Sequence, residues 1–85
     1  MRIWDDENDR ALDRIMILLT PREAEDLYRS LELMLSDKEV DHDHVNSEHP
    51  APGKVYVKEI TIGIYGDGRE RVFADRFLRL INEDK

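Results

Sequence analysis

The chain has 85 residues, no cysteine, and 20 acidic against 13 basic side chains, for a formal net charge of −7. This length supplies one hydrophobic core and excludes a second domain, the missing thiols exclude disulfides, thiolate metal sites and cysteine nucleophiles, and the acidity disfavours direct nucleic-acid binding. The longest apolar run, Ile15 to Leu19, is far short of a bilayer span, and the acidic start MRIWDDEND lacks the basic-then-apolar layout of a signal peptide, so a cytoplasmic protein without a membrane partner is expected.

The N-terminal stretch admits two readings. Ile3 and Trp4, the turn-like DDEND and then Leu12 to Leu19 spell a hairpin whose second strand runs into the next helix. Alternatively, Ala11, Leu12, Ile15, Met16 and Leu19 follow helical spacing behind an aspartate cap. The strand is favoured, because Ile15-Met16-Ile17-Leu18-Leu19 is β-prone and stops at a helix start.

That start is Leu19-Thr20-Pro21-Arg22-Glu23. Thr20 and Glu23 have the spacing of a capping box, in which each side chain accepts from the other's backbone N–H. Pro21 then occupies the first helical position, where its missing N–H costs nothing. From Pro21 to about Ser36, the residues Ala24, Leu27, Tyr28, Leu31, Met34 and Leu35 form one apolar stripe, which is read as the core face. Leu33 lies about 180° from Ala24 at 100° per residue. It is a candidate contact for a partner.

Asp37 to Lys54 is polar and closes with HPAPG, so it is read as mostly loop, with His42 to Val45 a short strand able to pair with the strand that follows. VYVKEITIGIY, residues 55 to 65, is rich in β-branched and aromatic residues and is read as that strand, with Tyr56, Lys58, Ile60, Ile62 and Ile64 on one face. Gly66-Asp67-Gly68 makes a turn. A second helix is expected from about Arg69 to Asn82, with Val72, Phe73, Phe77, Leu80 and Ile81 along one stripe. The expected fold is α+β in two layers: a mostly antiparallel sheet of three or four strands with two helices on one face.

Chemistry is concentrated in one place. Asp41, His42, Asp43, His44, Glu48 and His49 hold every histidine of the chain beside three carboxylates. In an extended segment His42 and His44 project to one face, as a two-point imidazole site for a divalent metal requires, and His49 or Glu48 could close it from the loop. The opposing reading is a solvated loop or pH-sensitive surface, since no HExxH helix or second cluster supplies a fixed third ligand. No serine sits in a GxSxG turn and GIYGDG is neither a phosphate loop nor a dinucleotide fingerprint, so no enzyme or organic cofactor is expected. Arg69, Arg76 and Arg79 are placed near one another on the polar side of the last helix, either as a solvated face or as a contact for an acidic partner.

LTPREAEDL resembles the opening of the LuxR-type helix-turn-helix, but the chain continues to DHDHV and a strand where that family has a second helix and a recognition segment, and the family is set aside. Over residues 19 to 65, LTPREAEDLYRSLELML, HDHV and KEITIGIY are together similar to small bacterial proteins with an LTPxEA helix, an HxHV segment and a KEIT strand. The resemblance implies a compact strand, helix, strand, helix domain and carries over no catalytic or binding residues. The function expected is a non-enzymatic interaction or regulatory module with a protein partner or a second copy, since a chain this small gains burial by dimerising. Two alternatives stand beside it: a metal-binding or metal-sensing protein using His42, His44 and His49, and an acidic decoy that occupies the nucleic-acid-binding surface of another protein.

Overall fold

A computed structural model describes residues 1–83. Contacts gather the chain into two compact units. One joins Met1–Leu18 to the C-terminal segment that begins at Phe73, and the other is Leu19–Val72.

The larger unit is built on helix α1, Pro21–Ser36. Both halves of the capping box form: the Glu23 N–H donates to Thr20 Oγ1 at 3.1 Å and the Thr20 N–H donates to Glu23 Oε1 at 2.9 Å. The second carboxylate oxygen of Glu23 accepts the backbone N–H of Glu48 at 2.8 Å, so the residue that caps the helix also ties down the loop after the next strand. Strand β3, Asp43–Asn46, pairs antiparallel with β4, Glu59–Ile62, in the register Val45 opposite Ile60. The ladder continues one step through the Ser47 N–H, which donates to the Lys58 carbonyl at 2.8 Å. α1 lies against β3, and Met34 and Val45 are the buried apolar side chains among the described residues.

The far end of α1 is closed by a residue from distant sequence. Gly66, Asp67 and Gly68 all have positive φ, a run that two glycines make accessible. The turn delivers a 3-10 helix, Arg69–Val72, in which Arg69 is buried. Its guanidinium donates to the carbonyls of Met34 at 2.6 Å and Leu35 at 3.1 Å. A fixed cation thereby satisfies carbonyls that a helix C-terminus leaves unpaired and meets the negative end of the helix dipole.

The smaller unit holds a hairpin of β1, Trp4–Asp5, and β2, Arg10–Ala11, together with helix α2, Asp75–Asn82. Asp5 organises the turn: its Oδ1 accepts the N–H groups of Glu7 at 3.1 Å and Asn8 at 3.2 Å. The Arg2 Nε donates to the Ile81 carbonyl at 2.9 Å, fastening the N-terminal stretch to α2.

The α+β class holds, but the strands form two separate two-stranded sheets in place of one sheet of three or four strands with both helices on one face. Three element boundaries also differ from expectation. The strand expected over residues 12 to 19 does not form: β2 ends at Ala11, the Leu12 N–H adds one ladder step to the Ile3 carbonyl at 2.8 Å, and the segment beyond it is irregular. The strand expected over 55 to 65 is confined to Glu59–Ile62, where a partner strand faces it. The helix expected from Arg69 splits into a 3-10 turn and α2, because Arg69 turns inward to close α1 and the chain is extended at Ala74 before it re-enters helix. No helix among the described residues is long and apolar enough to cross a membrane.

Arg69→Met keeps the apolar stem and removes the donors. It is expected to lower stability in urea unfolding by about 2 kcal/mol, the value of charge-assisted bonds at a partly buried helix C-terminus. Arg71→Met, which removes only an exposed ion pair with Glu39, should cost under about 1 kcal/mol.

Candidate interaction surface

The face α1 presents to its own sheet is narrower than its apolar stripe. Leu27 and Met34 turn toward the core with Ser30, which is itself buried. Tyr28 remains 64% exposed, Leu31 40% and Leu35 65%. Around the helix these three and Ala24 centre about 100° from the buried row, too far to share it. The expectation that the whole stripe is core is corrected: four of its six residues, Ala24, Tyr28, Leu31 and Leu35, are surface. Leu33, singled out as a partner contact, is 48% exposed but stands apart from this row. A row of apolar residues recurring along one line of a helix is a larger contact surface than one off-stripe leucine.

Ser30 explains the difference. Its hydroxyl donates to Asp43 Oδ2 at 2.7 Å, so a polar contact between α1 and β3 sets the rotation of the helix and directs its serine face inward. The Ser30 hydroxyl and then the His44 N–H hold the Asp43 carboxyl below the ordinary aspartate value. The signal was present in the sequence as a small hydroxyl residue midway between Leu27 and Met34.

The histidine segment is only partly assembled. His42 and His44 do approach, edge to face with ring centroids 4.9 Å apart. Each Nδ1 sits by a carboxylate, His42 at 3.1 Å from Asp41 and His44 at 2.7 Å from Glu59, and the His44 Nδ1 also lies 3.0 Å from Thr61 Oγ1. Asp41 is held below its ordinary value by the adjoining His42 ring. His49 lies in the loop that Glu23 ties to the helix cap, where the N–H groups of Thr20 and then Glu48 hold the Glu23 carboxyl below its ordinary value. Among the described residues, no group of three or more potential ligand side chains is placed to hold a metal ion.

The three arginines proposed as a shared patch are separated in role. Arg69 closes α1. Arg76 pairs with Asp6, and the Arg79 Nη2 donates to Asp9 Oδ1 at 3.1 Å. Arg79 also lies 5.9 Å from the Trp4 ring centre, and its guanidinium is held above its ordinary value by Asp9 first and Glu83 after it. Trp4, Asp9, Arg10, Ala11, Arg79 and Glu83 border an open cleft of about 500 Å3, within which Arg79 pairs with both Asp9 and Glu83. No family model, curated protein or solved structure matches this chain.

Because Asp43 titrates below its unfolded value, its bond to Ser30 contributes stability above pH of about 4 and loses it as pH falls through the native value. Ser30→Ala should destabilise the fold at pH 7 by about 1 kcal/mol. In acid titrations followed by circular dichroism, the wild-type advantage should shrink as Asp43 protonates, whereas a pH-independent gap would contradict this assignment.

Proposed function

We propose that this chain is a non-enzymatic interaction or regulatory module that acts by protein–protein contact. The observation that carries the reading is the exposed row of Tyr28, Leu31 and Leu35 on α1. These side chains belong to a helix fastened at both ends, by the capping box and by Arg69, so their positions are set before any partner arrives. Preorganised apolar contacts lose little side-chain and backbone freedom on binding, which is what a docking surface requires. A second apolar element accompanies it: in Ile15 to Leu19, Met16 and Leu18 are almost fully exposed.

Light scattering together with capture by the immobilised protein tests this. Wild type should either self-associate or retain a protein that a Tyr28→Ser, Leu35→Ser variant loses at unchanged helix content. A strict monomer that captures nothing through this face would overturn the reading.

A second reading, metal binding or sensing, draws on the His42–His44 pair. Imidazole ligands commonly donate their other ring N–H to a carboxylate, and Asp41 and Glu59 stand where such partners would. In this reading His42 and His44 supply two ligands for a divalent ion such as zinc, and the remaining positions are filled from outside the pair. Zinc titrated calorimetrically into wild type and a His42→Ala, His44→Ala variant should separate the two proteins by at least about tenfold in affinity. Equal affinities would end this reading.

A further inference from the structure

The surroundings of the free α1 stripe select the chemistry of its partner. Ala24, Tyr28, Leu31 and Leu35 are spaced by four, three and four residues, the interval at which one helix receives another by knobs-into-holes packing. From end to end the row is about 16 Å long, three turns of a partner helix. One flank, Leu27 and Met34, is turned toward the chain's own core. The opposite flank, about 80° beyond the row, is Glu25 and Glu32. Glu25 holds Arg29 at 2.6 Å, whereas Glu32 makes no ion pair or side-chain hydrogen bond among the described residues. The seam is therefore apolar with a carboxylate rim.

A second copy fits that rim poorly. Two α1 helices laid antiparallel would set Glu25 and Glu32 beside the same two carboxylates, and each chain brings a net charge of −7. A helix with cations at the flanking positions removes this repulsion and provides a partner for Glu32. We propose that the Ala24–Leu35 row receives an amphipathic helix of a partner protein whose apolar seam is bordered by lysine or arginine. The inference rests on the protein-contact reading above and adds the shape and charge of what binds.

Two synthetic three-heptad peptides with the same leucine seam, one with lysine and one with glutamate at the flanking positions, are the probes, read by fluorescence anisotropy against the intact protein. Wild type should bind the lysine peptide at least about tenfold more tightly than the glutamate peptide, and the preference should shrink as salt is raised. Glu25→Lys, Glu32→Lys should reverse the preference, and Tyr28→Ser, Leu35→Ser should lose both peptides, with circular dichroism verifying that each variant keeps its helix. Equal affinity for the two peptides, or a preference that the lysine variant leaves unchanged, would overturn the proposal. If neither peptide binds but wild type self-associates through Leu35, the cationic helix is refuted while protein contact stands. If neither peptide binds and the protein is a monomer that captures nothing, both are refuted.

Discussion

The larger unit depends on a cation brought back to the end of a helix. A helix C-terminus leaves carbonyl oxygens without partners and gathers negative potential there. In this chain no basic residue lies in the last turn of α1, and the answer comes from Arg69, whose guanidinium reaches the carbonyls of Met34 and Leu35. Met34, whose carbonyl accepts from Arg69, also carries the most deeply buried side chain among the described residues. The turn that permits this needs positive φ at Gly66 and Gly68, so a backbone requirement in one place serves a charge requirement some thirty residues earlier in the chain.

Fixing α1 at both ends has a consequence for its middle. The rotation of the helix about its axis is set by polar contacts: Glu23 to Thr20 and Glu48 at the start, Ser30 to Asp43 in the centre, and Arg69 at the end. All of these residues lie on or beyond one narrow face, and the helix is held with that face inward. The apolar residues one step around, Tyr28, Leu31 and Leu35, cannot then reach the sheet. Were burial of apolar area the sole determinant, the helix would turn to cover them, since each buried Leu is worth roughly 2 kcal/mol. Buried hydroxyl and carboxylate groups that lose their partners cost a similar amount, and they lock the rotation.

What was legible in the sequence follows the range of the interactions involved. The capping box and Pro21 are local, and α1 begins and ends where they and the apolar spacing say, at Pro21 and Ser36. The short strand at His42 to Val45 and its pairing with the strand read over 55 to 65 were also legible, the second of these from its β-branched residues, although the ladder itself covers only Asp43–Asn46 and Glu59–Ile62. The inward turn of Arg69 was not readable, since an arginine following a glycine turn looks the same whether it meets solvent or a distant carbonyl. For the candidate site, helical spacing identified an apolar stripe but not which of its residues would be covered. That choice was made by Ser30 and Asp43, thirteen residues apart, whose pairing no periodicity encodes.

The same distinction between local and distant partners explains how a chain with 13 basic residues leaves a carboxylate rim beside the exposed row of α1. The arginines of the last third are occupied within the fold: Arg69 by carbonyls, Arg71 by Glu39, Arg76 by Asp6, and Arg79 by Asp9 and Glu83. With 20 carboxylates to 13 cations, internal pairing cannot match every carboxylate, and the excess is negative. Glu32 is part of that excess, and it stands beside the apolar row of α1 that the sheet does not cover. Apolar area alone would accept many partners; a carboxylate rim penalises those that bring another carboxylate to it. In the proposed contact, selectivity therefore comes from the charges the fold leaves over, as affinity comes from the side chains that the polar lock on α1 leaves exposed.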